Sequence, residues 1–285
     1  MIGVYLILNK LYHYYHTIKY LHFKQILFHV YYKMKRRFIY YCPSFYHKRL
    51  NSKCFDISHY PLSVSDNTIY NKIKNYKYNV DDVIINKYNF LNIEKNLGKN
   101  INWNSSDLNK GTRLWKLNLN YHEYLIDVIY KYLETKDNKY IDYITNHIQS
   151  WIDDNPIGTK DFHKDNWNSY AISNRVIAWI KIFRFIPENN TNFKNLFLKS
   201  LRLQLEYLYR NLEYDLRANH LLENGFALLF GAYFFEDTRL LKKAKSILEN
   251  EIKEQILNDG SHIELSPMYQ QHIVYRFLDS YNLIK

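Results

Sequence analysis

The sequence predicts an all-α fold in which consecutive helices pair as antiparallel hairpins. Apolar residues recur every three or four positions from Leu114 onward, which is the period of an amphipathic helix. The chain has only 7 glycines and 5 prolines in 285 residues, whereas an all-β fold needs many turns. The short links between the periodic stretches predict antiparallel neighbours, arranged either as a bundle or as a toroid.

The first part of the chain, residues 1–99, is expected to be a helical and irregular segment that packs on this array. Met1–Tyr41 is predicted to be helical but poorly amphipathic. Residues 42–99 are rich in asparagine and turn-forming residues, and a short strand is expected at Val83–Ile85. Residues 100–285 are then the main helical domain.

Helix-ending and helix-starting signals divide the second part of the chain into seven predicted helices. Asn155-Pro156 ends the second apolar stripe and Pro187 follows the third. Asp237 is predicted to cap the sixth helix, and Ser266-Pro267 opens the last with proline at its first position. The predicted helices cover about 114–132, 141–152, 172–183, 192–214, 220–235, 238–257 and 266–283.

The fifth predicted helix is apolar nearly all round but begins with a polar cluster. An apolar helix of this kind is expected to be central in the fold. The polar residues at its start are Arg217, Asn219, His220, Glu223 and Asn224. Their spacing allows a capping cluster, with Asn219 as the N-cap and Glu223 closing the box, or an anion site at a helix N-terminus.

A second polar group lies in the segment DGSHIELSPMYQQH. His262 and Glu264 alternate, so they are expected to share one side of an extended segment, and Tyr269 follows in the first turn of the last helix. Tyr269 has the alternative of being one more core tyrosine among 29. The histidines and carboxylates of the two groups do not follow the spacing of a known metal motif, and no metal or other cofactor is expected.

A third group combines aromatic and polar side chains. Such side chains suit sugar rings, which have apolar faces and hydroxyl edges. The group consists of Trp103, Trp115, Asn118, Tyr121, His122 and Trp167. Core packing is the alternative for each of them.

The net charge of +11 and the pI of about 9.3 predict attraction to polyanions. Nucleic acid, an acidic membrane face and an acidic polysaccharide are the classes that composition leaves open. No DNA- or RNA-binding motif occurs, so a nucleic-acid partner is not expected.

Seven segments in order give a more specific indication. They are FLN (90–92), WN (103–104), LWKLNLNYHEYL (114–125), WIDDNP (151–156), WNSYAISNRVIAW (167–179), NHLLENGFALLFGAYFF (219–235) and DGSHIELSPMYQ (259–270). Their order and spacing resemble the N-terminal α/α-toroid domain of the heparinase II/III and alginate lyase group of polysaccharide lyases. The resemblance runs from about Phe90 to the C-terminus and implies an incomplete (α/α) toroid of antiparallel helical hairpins.

The resemblance also implies an activity, β-elimination in a uronic-acid polysaccharide, and the residues for it. Asn219 and His220 match a pair associated with binding and neutralising the uronate carboxylate. Glu223 matches an acidic position that can orient the neighbouring histidine. Tyr269 matches a tyrosine proposed as general acid or acid/base. The other polar and aromatic residues named above are expected to bind substrate, and the partner is an acidic polysaccharide.

Lyases of this group continue into a large C-terminal β-sandwich domain that supplies further catalytic residues. The sequence stops at Lys285, so the expectation is a toroid truncated at its C-terminus, with exposed apolar surface where such a domain would dock. A separate β-sandwich chain is a candidate partner, and a non-catalytic polysaccharide-binding remnant is the alternative to a lyase. Group members are often periplasmic, but the N-terminus has no convincing signal peptide, so localisation stays open.

Overall fold

A computed structural model of the chain describes residues 21–51, 77–105, 112–158 and 162–284, together with Tyr12, His16, Lys19 and Leu108. The expectation about a signal peptide falls mainly outside these residues. Within them the protein is mostly helical, as predicted. The helices are α1 (Phe23–Tyr41), α2 (Pro43–Asn51), α3 (Val80–Val83), α4 (Arg113–Tyr121), α5 (Tyr124–Thr135), α6 (Lys139–Asp154), α7 (Ser169–Phe183), α8 (Thr191–Arg210), α9 (Ala218–Phe234), α10 (Thr238–Gln255) and α11 (Pro267–Ile284).

The helical array is the predicted incomplete (α/α) toroid of antiparallel hairpins. Helices α7 and α9 are buried on nearly all sides and pack on each other, so they form its inner layer. The amphipathic helices α6, α8 and α10 form the outer layer. Small residues on α9 allow the close approach of its neighbours, because a Cβ on Gly225 would lie 2.9 Å from the side chain of Leu248 on α10. Asp237 caps α10 as predicted, accepting from the N–H groups of Arg239 and Leu240.

The first predicted helix of the array is broken in two. His122 adopts the left-handed conformation, with φ of 58° and ψ of 15°, and separates α4 from α5. Neither glycine nor proline marks this break in the sequence, so periodicity alone predicts one continuous helix. The break directs consecutive side chains, His122 and Glu123, into different environments.

The described residues 77–99 are more regular than predicted. The strand expected at Val83–Ile85 is wrong, because Val80–Val83 forms a helical turn capped by the side chain of Asn79. A hairpin that the sequence did not suggest follows, with β1 (Lys87–Phe90) antiparallel to β2 (Ile93–Asn96). Its two turn residues, Leu91 and Asn92, both have positive φ, which is typical of a tight hairpin turn.

The N-terminal helices pack on the array at the loop between α8 and α9. The Tyr32 hydroxyl donates to the carbonyl of Leu212, and the Lys35 ammonium donates to the carbonyl of Arg210 at 2.6 Å. One hydrophobic core continues across residue 100. The division of the chain into 1–99 and 100–285 stays a prediction.

Helix α11, at the end of the array, buries only part of its surface. Its buried residues are Ile273, Arg276 and Ser280. Its exposed apolar residues are Met268, Val274, Tyr275, Leu278, Tyr281 and Ile284. Exposed apolar surface was expected where another domain would dock, although the domain itself stays a prediction. In the part of the chain that the structure describes, no helix is both long and apolar enough to cross a membrane.

Candidate functional site

The polar cluster at the start of α9 lies where several helix ends meet. Contacts described below join it to the N-terminal ends of α5 and α7 and to the first half of α11. Helix N-termini carry partial positive charge and free N–H groups, so their convergence favours an anionic ligand.

Helix α9 begins with a strained backbone. Arg217 and Ala218 both have positive φ, 57° and 48°, although neither is glycine. The helix therefore starts at Ala218, and the expected N-cap role of Asn219 is wrong because Asn219 already lies inside the first turn. Among the described residues the half-buried Asn219 amide has no hydrogen-bond partner. The Arg217 guanidinium pairs with Glu254 of α10.

His220 is held by a carboxylate from the preceding loop. Its Nδ1 lies 3.2 Å from Oε1 of Glu213, and its ring centroid lies 4.6 Å from that of Tyr170 on α7. Burial lowers the pKa of His220, but the hydrogen bond and charge of Glu213, with the charges of Asp215 and Glu264, raise it above its ordinary value. The imidazolium form is therefore more favoured at this position than in a free histidine.

Asn224 supports this arrangement from inside the core. Its Oδ1 accepts from the backbone N–H of Glu213 at 2.9 Å, and its Nδ2 donates to Glu213 Oε2 and Ser173 Oγ, both at 3.0 Å. Asn224 is fully buried. It was predicted to contact substrate, but the structure uses it to position Glu213 and, through it, His220.

Glu223 contacts α11 rather than His220. Its Oε2 lies 3.0 Å from Nε2 of His272, and its Oε1 accepts from Nε of Arg276 at 2.7 Å. The expected orienting role belongs to Glu213, because the carboxylate of Glu223 is already bound by these two side chains. The capping box expected for Glu223 is likewise absent from the described start of α9.

Arg276 joins α9 to α7 and to the N-terminal end of α5. Its Nη2 donates to Asn174 Oδ1 at 2.8 Å and to Glu123 Oε1 at 3.2 Å. Arg276 and Glu223 are buried, and we call Glu123, Glu223 and Arg276 the ion-pair cluster. Lys77 reaches its edge, 3.2 Å from Glu123 Oε2.

The ion-pair cluster remains charged because its members compensate one another. Burial raises the pKa of Glu223, but Arg276 and His272 outweigh that effect and lower it. Burial also raises the pKa of Glu123, but Lys77 and Arg276 lower it to about 2. No local spacing predicts this cluster, because Arg276 lies 153 residues from Glu123.

Tyr269 shares a face of α11 with His272, because the two are three residues apart. His220 and Glu223 are related in the same way on α9. Since His272 contacts Glu223, the two faces oppose each other. Tyr269 is half-buried, and its ring centroid lies 6.2 Å from that of His262.

The expectation that His262 and Glu264 share one side of an extended segment is wrong. The segment turns after a single bridge between Ile256 and His262 instead of staying extended. His262 is buried with its Nε2 3.0 Å from Gln255 Oε1, whereas Glu264 is exposed. Only the charge of Glu264 reaches the site, through its effect on His220.

Most of the predicted aromatic platform lies in the core. Trp115, His122 and Trp167 are buried, and their packing rather than sugar stacking accounts for them. Tyr121 is more exposed than these three, at 9%, and its ring centroid lies 5.8 Å from that of Tyr170. Tyr170, which the sequence did not single out, therefore supplies the aromatic surface beside His220.

Within the described residues, no three His, Cys, Asp or Glu side chains form a group that could hold a metal ion. The prediction that the chain uses neither metal nor other cofactor stays a prediction.

Comparison with known proteins identifies similar sequences. The family model for the heparinase II/III N-terminus matches residues 7–285. A heparin-sulfate lyase of Pedobacter heparinus is 29% identical over 196 residues, covering 66% of this chain and 29% of that protein. A heparin-sulfate lyase of Bacteroides thetaiotaomicron is 24% identical over 216 residues, covering 73% of this chain and 30% of that protein. The chain thus spans less than a third of these relatives.

Solved structures show the same fold. The heparan sulfate lyase of Pedobacter heparinus superposes with a TM-score of 0.58 at 20% identity, covering 84% of this chain and 38% of that one. A heparinase III superposes with a TM-score of 0.60 at 18% identity, covering 81% of this chain and 38% of that one.

Proposed function

The chain belongs to the heparinase II/III N-terminal family, and on that premise we propose that it binds a uronic-acid-containing acidic polysaccharide and cleaves it by β-elimination. The heparin-sulfate lyases named above motivate the substrate class. The alginate side of the predicted group stays a prediction.

β-Elimination makes three chemical demands. The C5 proton of a uronate is weakly acidic, because the adjacent carboxylate resists further negative charge. Donors must therefore bind that carboxylate and stabilise the enolate-like state. A base must remove the C5 proton, and an acid must protonate the leaving O4.

The observation that carries the proposal is that Asn219 and His220 stand side by side in the first turn of α9, where Nδ1 of His220 lies 3.2 Å from Oε1 of Glu213. Glu213 raises the pKa of His220, so the imidazolium form is more favoured here than in a free histidine. Asn219 amide donors, the His220 imidazolium and the helix N–H groups suit a uronate carboxylate. Asn219 and His220 would thus meet the first demand.

Tyr269 and His272 are our candidates for the two proton transfers. Tyr269 lies on the face of α11 that opposes α9. The resemblance of the SPMY segment implies that its hydroxyl acts as general acid or acid/base. His272 is about one-third exposed, with Nε2 fixed by the buried Glu223. A carboxylate that fixes one ring nitrogen orients the imidazole for acid–base chemistry.

Other residues near the site are proposed to bind neighbouring sugars. Tyr170 offers a ring surface beside His220, and Tyr121 lies against Tyr170. Arg217 is a cation that a carboxylate or sulfate could engage in competition with Glu254. Glu264 lies close enough to influence His220 and would contact hydroxyls rather than anionic groups.

Polysaccharide binding without cleavage is the second candidate function. Binding of the uronate carboxylate would need only Asn219 and His220, whereas cleavage also needs the two proton transfers. A separate β-sandwich chain remains a proposed partner in this case.

Ultraviolet absorbance of unsaturated uronates tests the proposal. The purified chain is incubated with heparan sulfate, hyaluronan and alginate beside Tyr269→Phe, and Tyr275→Phe serves as the control for an exposed tyrosine on the same helix. We expect an increase that Tyr269→Phe reduces on the order of 10²-fold or more, as for loss of an acid–base group, and that Tyr275→Phe preserves.

Binding of the same polysaccharides is measured in parallel by calorimetry, with Asn219→Ala as the variant. Saturable binding that this variant loses, without any absorbance change, would support the binding function instead. Absence of both binding and cleavage would contradict both candidates.

A further inference from the structure

Nearly all the net charge of the chain lies in its first 55 residues. Ten lysines and arginines and not one aspartate or glutamate precede Asp56. Since the whole chain carries +11, the remaining 230 residues contribute only +1. The basic character is therefore a property of the N-terminal region and not of the toroid.

Helix α1, within this region, has two unlike faces. Its inner face packs on the array through the buried Tyr32 and Ile39. Its outer face exposes a stripe of apolar side chains with spacings of three and four residues along the whole helix. The stripe consists of Phe23, Leu27, Val30, Met34, Phe38 and Tyr41, which are between 45 and 76% exposed.

Cations flank the apolar stripe. At 100° per residue, exposed Lys33 and Arg37 fall on one side of it and exposed Lys24 on the other. The 19 residues of α1 contain no acidic side chain. An apolar stripe flanked by cations and free of carboxylates is the pattern of a helix that lies in the plane of an anionic membrane surface.

We propose that α1 binds anionic lipid membranes, with its apolar stripe at the boundary between headgroups and acyl chains and its cations at the lipid phosphates. An acidic polymer would explain the cations but not the apolar stripe, which needs a hydrophobic phase to bury it. The inner face of α1 stays on the toroid, so the helix needs no detachment to reach the membrane.

Vesicle flotation of the full chain tests this proposal. The vesicles are phosphatidylcholine alone or a two-to-one mixture of phosphatidylcholine and phosphatidylglycerol. We expect binding only to the anionic mixture. Lys33→Gln with Arg37→Gln should weaken the partition coefficient by about fivefold for each charge removed. Lys242→Gln with Lys245→Gln, which removes two exposed charges from α10, should leave it unchanged.

The apolar stripe is tested without changing charge. Leu27→Gln with Met34→Gln should weaken binding on the order of tenfold or more. Val274→Gln with Leu278→Gln, an exposed apolar pair on α11, is the matched control and should bind as the wild type does. Circular dichroism confirms that each variant is folded.

Three results would overturn the proposal. The first is failure to bind the anionic vesicles. The second is vesicle binding that the Leu27 and Met34 substitutions do not weaken. The third is binding to heparin or DNA instead of lipid, at a strength that those substitutions do not change. Flotation does not depend on catalysis, so these outcomes are independent of whether the chain cleaves a polysaccharide.

Discussion

His122 and Glu123 are joined by one peptide bond, yet they enter two opposite kinds of protein interior. The left-handed His122 turns its ring into an aromatic cluster formed with Trp103, His147, Trp151 and Trp179. Glu123 belongs to the ion-pair cluster. The comparison shows how partners, rather than depth alone, decide whether a titratable group keeps its charge.

In the aromatic cluster the histidines are neutral. His122 Nδ1 accepts from the Trp179 indole at 3.0 Å, which places the ring proton on Nε2, and that atom has no hydrogen-bond partner among the described residues. Burial, with the neighbouring His147 and Arg175, lowers the pKa of His122 well below its usual range. Burial lowers the pKa of His147 to about 3. Without a carboxylate partner, each imidazole is favoured in its neutral form.

In the ion-pair cluster the charges persist because each has a partner. The carboxylates are held by Arg276, and their pKa values fall despite their burial. The cost of removing water is offset only while the partners are present. The two clusters should therefore respond differently to loss of a partner and to acid.

The largest expected effect is from removing Arg276. Arg276→Met leaves Glu223 and Glu123 without their shared cation, and we expect the free energy of unfolding to fall by about 3–5 kcal/mol. Urea unfolding measures the change. Adding Glu223→Gln should restore part of the loss, because it removes one of the two buried carboxylates that Arg276 no longer neutralises. Arg113→Met, at an exposed ion pair with Asp165, should cost less than about 1 kcal/mol. Equal losses at Arg113 and Arg276 would contradict the comparison.

Acid should affect the aromatic cluster first. The unfolded chain protonates His147 below pH about 6.5, but the folded chain does so only near pH about 3. The contribution of neutral His147 to the free energy of unfolding is therefore fully present above pH about 6.5. It is lost as the pH falls from there toward about 3, by up to about 1.4 kcal/mol per pH unit. His147→Gln should lack this slope, so the stability gap between wild type and variant should narrow on acidification.

Urea unfolding of both proteins between pH about 7 and about 4.5 measures the gap. Glu123, whose folded pKa is about 2, contributes stability above the unfolded glutamate pKa and loses it only below about 4.3. Asp127, whose pKa burial raises to about 6, acts in the opposite direction in this window but equally in both proteins. A gap that does not change with pH would show that His147 is not held neutral.

The smallest effect is expected at the edge of the ion-pair cluster. The Lys77 side chain is 65% exposed, so its pairing with Glu123 is screened by water. Lys77→Gln should lower the free energy of unfolding by less than about 1 kcal/mol, and added salt should reduce the difference further. A loss as large as that of Arg276→Met would place Lys77 among the buried partners.

Local signals in the sequence predicted what depends on neighbouring residues. Apolar periodicity located the inner helices, and the Asp237 cap was confirmed. Local sequence also located the polar start of α9. It did not predict the partners of that cluster, because Glu223 contacts Arg276 across 53 residues, whereas its spacing from His220 suggested a local pair. Composition likewise could not distinguish a core tryptophan such as Trp115 from a sugar platform.

The loop of residues 211–216 is attached on two sides, which limits how far its own length can change. Its outer side anchors α1 through the Leu212 carbonyl, and its inner side carries Glu213 to His220. Surface loops usually tolerate insertions. Here an added residue would shift one attachment or the other, so length change at this loop should be far less permissible than in the short turn around Asp137, between α5 and α6.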